Sequence, residues 1–187
     1  AARTLQDYEA AGIAGLHMED QDWPKRCGHV EGKAVIPTEE MVEKIDAIVN
    51  ARRNDDFVII ARTDAIAVEG FESAVERGHR YLEAGADGLF FDALRTHEQI
   101  ATVGRTFDVP LLYNMSLSGL TPSLTPAEAG ALGFRVMLFA GVTIMVAHAS
   151  MRRYYRTLRE TGSQESMRSE ITPLKEFMAS LHADRYL

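Results

Sequence analysis

Polar side chains that could bind a cation and a carboxylate follow four successive apolar runs of this sequence. Glu19 and Asp20 follow the first run, residues 62–64 (Arg-Thr-Asp) the second, Asp92 the third and Asn114 the fourth. Because parallel sheets bind their ligands at the carboxyl ends of their strands, we expect these groups to meet at one edge of a sheet. Carboxylates are ligands of Mg2+, and a guanidinium matches a carboxylate with two hydrogen bonds. The pattern therefore predicts a site for a metal ion and an anionic ligand.

The single cysteine lies in a long polar segment, residues 19–33, that follows the first of these runs. This segment exceeds the about two to six residues of an ordinary strand-to-helix loop, and long loops at that edge are commonly functional. Cations on both sides of Cys27 would stabilise its thiolate, and Gly28 would let the backbone approach a ligand closely. These cations are Lys25, Arg26 and His29. The thiol could act as a nucleophile, which needs a base such as His29, or as a proton donor, and the residues leave both roles open.

The elements that must position these groups alternate between short apolar runs and stretches with helical spacing. The apolar runs, each predicted as a strand, are 13–18, 57–61, 88–91, 110–113 and 134–139. Helices are predicted at the start of the chain, at 38–53, 72–84 and 142–161, and after Pro173 to about residue 181. This alternation indicates a parallel sheet with helical crossovers, and the low charge of the strands is expected of strands covered on both faces.

An internal repeat supports the same organisation. Residues 11–19 (AGIAGLHME) align with residues 84–92 (AGADGLFFD), and residues 132–140 are a weaker third copy. Each copy places a glycine where a helix ends and a strand follows. A (β/α)8 TIM barrel takes about 250 residues, so five strands predict an incomplete barrel of about five βα units in which the first three strands are absent. An open five-stranded sheet competes with this interpretation, although no glycine-rich phosphate loop follows a first strand.

Composition limits the class of protein. The 187 residues are 46% hydrophobic and 25% charged, which is typical of one globular domain, and we expect a single partial barrel over 1–187 with a helical segment at about 163–187. The net charge of -7 argues against a nucleic-acid partner, and no apolar run approaches the about 20 residues of a membrane span. One cysteine excludes an intrachain disulfide, so we expect a reducing compartment, the cytoplasm.

Six phrases resemble the isocitrate lyase and phosphoenolpyruvate mutase superfamily, above all its 2-methylisocitrate lyase branch. They are GLHMEDQ (15–21), PKRCGH (24–29), GK (32–33), EEMVEKIDAI (39–48), DFVIIARTDA (56–65) and EAGADGLFFDA (83–93). The resemblance runs from residue 1 to about residue 140. It implies a (β/α)8 barrel with Mg2+ or Mn2+ at its C-terminal face, and lyases that cleave a carbon–carbon bond in a 2-hydroxy polycarboxylate.

The resemblance implies roles for eight residues. Glu19 would hold the metal, Arg62 would bind a substrate carboxylate, and Cys27 would protonate the carbanion left after cleavage. The other implied site residues are His17, which matches a catalytic-site histidine near the metal, and Gly28, Asp92, Asn114 and Ser116, which would bind substrate. Asp92 stands where the lyases usually have glutamate.

Departures from the family pattern leave alternatives open. The two aspartates that carry most of the metal binding are absent, and apolar residues near Val146 and Pro173 stand where the lyases have arginines for an additional carboxylate. A smaller diacid such as oxaloacetate or an alkylated malate therefore becomes plausible as the substrate. The alternatives are an oxaloacetate hydrolase and an inactive fragment or scaffold. The resemblance also implies a homo-oligomer, a tetramer, with exchanged C-terminal helices.

Overall fold

Five short strands form one parallel sheet in the computed structural model, which describes residues 1–117 and 119–186. They are β1 (Gly15–Glu19), β2 (Val58–Thr63), β3 (Gly88–Phe91), β4 (Leu111–Met115) and β5 (Phe134–Phe139). Each strand pairs in parallel with the next one along the chain, in the order β1-β2-β3-β4-β5. A doubly wound sheet reverses its strand order at a switch point. The sequential order is instead that of a TIM-barrel wall, as predicted.

Five helices connect or precede these strands. They are α1 (Ala2–Ala10), α2 (Thr38–Ala51), α3 (Phe71–Glu83), α4 (His97–Thr106) and α5 (Pro126–Ala131). The helical spacing predicts α2 and α3 to within two residues, whereas it missed α4 and α5. In α4 only Ile100 and Val103 are buried, and α5 has six residues, too few to show a helical period. The capping box of Thr125 and Glu128 around Pro126 is the local signal that marks α5.

The repeat glycines end three helices in the conformation that the sequence predicts. Gly12, Gly85 and Gly133 have φ values of 75°, 95° and 95°. This left-handed region strains residues with a Cβ atom, so glycine closes the helix without that cost. Each glycine is followed within three residues by the start of a strand.

The two faces of the sheet differ in burial. Alternate side chains of a strand point to opposite faces, and those on one face, such as Ile59, Leu89 and Tyr113, lie in the core beneath the helices. On the opposite face Val58, Val136 and Leu138 are 40%, 42% and 41% exposed. The prediction of two covered faces holds for β3, whose four residues are all buried, and is wrong for β2 and β5 in the described residues, because the helices of this part of the chain pack on one side. We call the less covered side the open face.

A second unit begins at Gly141, since chain contacts divide the protein into Ala1–Ala140 and Gly141–Leu187. It contains α6 (Val142–Thr161), which has the predicted bounds and ends at Gly162, whose φ is 66°. Pro173 precedes α7 (Leu174–Ser180), as predicted, and Leu187 lies outside the described residues. Across the described residues, every helix is too short or too polar to cross a membrane.

Candidate active site

Strand register brings four of the predicted polar residues together. Glu19 is paired with Arg62 across β1 and β2, and Arg62 with Phe90 across β2 and β3, so Asp92 follows two residues later on the same face. Arg62 Nη2 donates to Asp92 Oδ2 at 2.9 Å, and Arg62 Nε lies 3.4 Å from Glu19 Oε2. Asn114 Nδ2 donates to the other Asp92 oxygen at 3.0 Å. The predicted convergence at one sheet edge is confirmed for these residues.

Asp64 holds the guanidinium of Arg62 with two hydrogen bonds. Its Oδ2 accepts from Nε at 2.8 Å and its Oδ1 accepts from Nη2 at 3.2 Å. The guanidinium also lies over the ring of Phe90, 4.8 Å from its centroid. Burial lowers the pKa of Arg62. The neighbouring carboxylates of Asp64, Asp92 and Glu19 raise this pKa by more, so the net shift is upward. Among the described residues Nη1 makes no hydrogen bond, which leaves its two N–H groups for a ligand carboxylate.

Carboxylates outnumber cations in this cluster. Glu19, Asp64 and Asp92 surround Arg62, and the second cation is Lys25, whose Nζ lies 2.8 Å from Glu19 Oε1. Burial raises the pKa of Asp64, and the neighbouring carboxylates add to this, although Arg62 opposes it. The cluster thus carries an excess of negative charge that a cation or a shared proton would offset.

The segment between β1 and α2 folds as a loop with a closed neck. Gln21 and Val35 form an antiparallel bridge, and the amide of Asp22 donates to the carbonyl of Ala34 at 2.9 Å. The Gln21 side chain then holds the backbone of Arg26 with two hydrogen bonds of 2.8 Å. We call residues 20–36 the cysteine loop, since these contacts fix the base of the segment that carries Cys27.

The tip of the cysteine loop reaches the Arg62 cluster through Gly28. A Cβ atom at Gly28 would lie 1.5 Å from Asp92 Oδ2 and 2.7 Å from Asp64 Oδ1, so only glycine fits. Gly28 is buried, and its carbonyl accepts a hydrogen bond from Lys33 Nζ. Cys27 is a free, exposed thiol one residue away. The residue that carries the thiol is therefore exposed to solvent next to the buried loop tip.

His29 belongs to the same cluster, whereas the sequence suggests it only as a cation or a base beside Cys27. Its Nδ1 accepts a hydrogen bond from the amide of Leu120 at 3.0 Å, and its Nε2 lies 3.8 Å from Asp92 Oδ1. His29 thus joins the cysteine loop to the segment after β4. A pocket of about 370 Å3 is lined by residues 29–33 with Ala67, Arg95 and Leu120. It leaves room for a small ligand beside the imidazole.

Two predicted site residues lie apart from the cluster. His17 is on the open face, two residues before Glu19, and its ring stacks on Phe90 at 5.7 Å. Burial lowers the pKa of His17, and Arg62 lowers it further. Ser116 is half-buried after β4, and within the described residues its hydroxyl makes no hydrogen bond to Arg62, Asp92 or Asn114. The substrate-binding role of Ser116 and the catalytic role of His17 stay predictions.

Asp64 and Asp20, which the sequence places among the polar strand ends without an individual role, are contacts of the cluster. Asp64 follows Arg62 by two residues, a spacing that lets two side chains at a strand end meet, and this signal was available. Asp20 is fully buried and accepts a hydrogen bond from the amide of Asp64 at 2.9 Å. Its position depends on the helix packed behind it.

The described residues supply part of a metal site. Mg2+ prefers about six oxygen ligands in near-octahedral geometry, and Glu19 offers a carboxylate, although Lys25 and Arg62 contact it. Within residues 1–117 and 119–186 no group of three or more His, Cys, Asp or Glu side chains is arranged to hold a metal ion. The described residues therefore do not fit a complete Mg2+ site, and the role of Glu19 as a metal ligand stays a prediction.

Comparisons with known proteins find a matching family and similar proteins. The family described as phosphoenolpyruvate phosphomutase matches residues 1–159. The 2-methylisocitrate lyase of Aeropyrum pernix is 42% identical over 175 residues, which cover 94% of this chain and 56% of that protein. The 2,3-dimethylmalate lyase of Eubacterium barkeri is 38% identical over 175 residues, 94% of this chain and 61% of that protein. The chain thus spans less than two thirds of the length of these curated relatives.

Solved structures agree with the fold. Oxaloacetate acetylhydrolase in complex with the inhibitor 3,3-difluorooxalacetate matches with a TM-score of 0.89 and 38% identity, over 99% of this chain and 63% of that one. Phosphonopyruvate hydrolase in complex with oxalate and Mg2+ matches with a TM-score of 0.81 and 29% identity, over 99% of this chain and 64% of that one.

Proposed function

This chain belongs to the phosphoenolpyruvate mutase and isocitrate lyase superfamily, and from this premise we propose that it cleaves a carbon–carbon bond in a 2-hydroxy di- or tricarboxylate. One observation carries the proposal: Gly28, next to Cys27, contacts the carboxylate of Asp92, which Arg62 also holds. This contact supports a site in which a carboxylate-binding guanidinium and a thiol-bearing segment act on one substrate. Relatives named for 2-methylisocitrate and 2,3-dimethylmalate support this substrate class.

The proposed reaction is a retro-aldol type of cleavage. The substrate hydroxyl loses its proton to a solvent water, its oxygen forms a carbonyl, and the carbon–carbon bond breaks with its electron pair going to the carbon beside a carboxylate. That carbanion takes a proton from Cys27 Sγ, and the resulting thiolate regains a proton from solvent. Arg62 Nη1 binds the substrate carboxylate with charge-assisted hydrogen bonds, and Asn114 and Asp92 hold polar groups of the same substrate.

Mg2+ belongs to the proposal as a cofactor with Glu19 among its ligands. The excess of carboxylates around Arg62 and the Mg2+ named in the phosphonopyruvate hydrolase structure support it. Calorimetric titration with Mg2+ of the wild type and of Glu19→Gln tests this part, and equal affinities would remove Glu19 from the ligand set.

Product detection tests the activity itself. The protein is incubated with 2-methylisocitrate, 2,3-dimethylmalate and oxaloacetate in the presence of Mg2+, and products are identified by mass spectrometry. We expect an oxo acid and a carboxylic acid from a hydroxy acid. In Cys27→Ser turnover falls by about 100-fold or more, because a serine hydroxyl is a far weaker acid than a thiol. Unchanged turnover in Cys27→Ser would remove Cys27 as the proton donor.

Hydrolysis of oxaloacetate is the second candidate function. The match to oxaloacetate acetylhydrolase at 38% identity favours it. In this reaction water adds across the broken carbon–carbon bond, so the products are oxalate and acetate. Formation of these two products from oxaloacetate, with no cleavage of the hydroxy acids, decides for the second candidate. Failure to turn over or bind any of the three compounds would support an inactive scaffold.

The proposal extends to the setting in which the protein works. We propose a homotetramer in the cytoplasm, with a small carboxylate as its ligand and with neither nucleic acid nor membrane as a partner; the net charge of -7 supports the exclusion of nucleic acid. Light scattering after size-exclusion chromatography tests the tetramer, and a monomer mass would contradict it.

A further inference from the structure

The buried guanidinium of Arg77 contacts both ends of the cysteine loop, and one of these ends, Asp20, also binds the end of β2. The side chain of Arg77, on α3, is only 4% exposed. Its Nη2 donates to the carbonyl of Ile36 at 3.0 Å, at the downstream end of the cysteine loop. Its Nη1 lies 3.3 Å from Asp20 Oδ2, at the upstream end. Arg77 therefore joins both ends of the loop that carries Cys27.

Asp20 links the same guanidinium to the Arg62 cluster. Its Oδ1 accepts from the amide of Asp64 at 2.9 Å, and its Oδ2 accepts from Thr63 Oγ1 at 2.7 Å. The backbone of Asp20 pairs with its neighbours as well, since the amide of Ile36 donates to its carbonyl at 2.9 Å. A shift of Asp20 would thus move the loop base and Asp64 together, and Asp64 holds Arg62.

Every N–H donor of Arg77 has a partner. Besides Ile36 and Asp20, the guanidinium binds both carboxylate oxygens of Glu69 at 2.8 Å and the hydroxyl of Tyr81 at 3.0 Å. Lysine has three donors on one nitrogen and lacks the planar fork, so it cannot make all these contacts. A buried ion pair is commonly no more stabilising than apolar residues of the same volume. Because all N–H donors of Arg77 are bound, we take the residue to fix the positions of its partners.

We propose that Arg77 is a positioning residue, which fixes the cysteine loop relative to Arg62. The proposal rests on the proposed function, because it gives Arg77 a part in bringing Cys27 and Arg62 to one substrate. The competing view is that Arg77 stabilises the whole fold and has no particular effect on the cysteine loop or the end of β2.

Hydrogen exchange of single amides distinguishes the two views without any substrate. The variant is Arg77→Lys, and the matched control is Arg80→Lys on the same helix, where the side chain is 40% exposed. In Arg77→Lys we expect the amides of Ile36 and Asp64 to exchange about tenfold faster. The amide of Leu89, which donates to Pro110 between β3 and β4, should keep its wild-type rate, and so should all three amides in Arg80→Lys.

Two results would overturn the proposal. Unchanged exchange at Ile36 and Asp64 would show that Arg77 holds neither, and equal acceleration at Leu89 would show a general loss of stability. If Arg77→Lys does not fold, Tyr81→Phe is measured in the same way, since it removes one donor to Asp20 Oδ2 and one acceptor of Arg77.

A kinetic measurement separates this proposal from the proposed function. If the wild type cleaves a hydroxy acid, Arg77→Lys should lower kcat by about tenfold with little change in KM, because misplacement affects the reacting geometry more than binding. A wild type without turnover would contradict the proposed function, and the exchange result would still decide the role of Arg77.

Discussion

Glu19 and Asp20 are adjacent in the chain, yet their carboxylates lie on opposite sides of the sheet. Asp20 is fully buried on the helix-covered side, where it accepts hydrogen bonds from Thr63, Asp64 and Tyr81. Glu19 lies on the open face, where it contacts only the cations of Lys25 and Arg62 among the described residues. The alternation of side chains along a strand thus separates two acids that look equivalent in the sequence.

This difference distinguishes a carboxylate that holds the fold from one that can meet a ligand. The hydrogen-bonding capacity of Asp20 is used by protein groups, so it cannot take a ligand without loss of structure. Hydrogen-bonding capacity remains on the open face, since within residues 1–117 and 119–186 Arg62 Nη1 donates to no group and Asn114 Oδ1 is buried without a partner. Substitutions on the covered side should therefore affect stability, and turnover only through the position of the cysteine loop, whereas those on the open face should affect binding and turnover directly.

The largest expected effect is on stability. Asp20→Ala removes one of the two carboxylates that pair with the buried Arg77 and leaves the Thr63 hydroxyl, the Asp64 amide and the Tyr81 hydroxyl without their acceptor, so we expect the free energy of unfolding to fall by about 3–5 kcal/mol. Glu19→Gln should cost about 1 kcal/mol or less, because its ion pairs are partly exposed. Urea unfolding of the two variants checks the contrast, and equal losses would contradict the separation of the two sides.

Arg62→Lys should have the next largest effect, on activity. Lysine keeps the charge but loses the fork that grips Asp64 and reaches a substrate, so kcat/KM should fall about 100-fold. Arg52→Lys is the matched control, because Arg52 forms a similar pair with Asp87 at 2.7 Å at the opposite end of β2 and β3. Equal losses of kcat/KM in the two variants would argue against a special role of the carboxyl ends of the strands.

Gly28→Ala should weaken the open face through the cysteine loop. The added Cβ would lie 1.5 Å from Asp92 Oδ2, so the loop tip must withdraw, and we expect kcat to fall at least about tenfold. Gly130→Ala is the control, since nothing lies within 4 Å of a Cβ at that position. Full activity in Gly28→Ala would place the loop tip elsewhere during turnover.

The smallest expected effect concerns pH and His17. Because burial and Arg62 lower the pKa of His17 in the folded protein, the unfolded chain binds a proton more readily. Stability should therefore be lost as the pH falls below about 6.5, the ordinary pKa of histidine. Urea midpoints of wild type and His17→Gln at neutral and mildly acidic pH check this. The variant should lose less stability on acidification, and His148→Gln, on α6, should behave like the wild type.

The pattern of residues predicted the strands, most of the helices and the residues at the strand ends, but it did not predict the contacts between loops. The parallel order, the bounds of α6 and the meeting of Glu19, Arg62, Asp92 and Asn114 follow from local periodicity and from the geometry of parallel strands. The contact of His29 with the amide of Leu120 joins residues 91 positions apart, and no local pattern encodes it. Ser116 was expected at the site on resemblance alone, and within the described residues its hydroxyl makes no hydrogen bond to Arg62, Asp92 or Asn114.

The central claim is that Cys27 and Arg62 face one ligand, and protection of the thiol by oxalate tests it most directly. Cys27 is the single cysteine, so its alkylation by iodoacetamide can be followed without interference. With Mg2+ present and oxalate at about ten times its Kd, alkylation should slow about tenfold in the wild type and should not slow in Arg62→Lys at the same oxalate concentration. An unchanged alkylation rate in the wild type, under conditions where calorimetry shows that oxalate is bound, would contradict the claim.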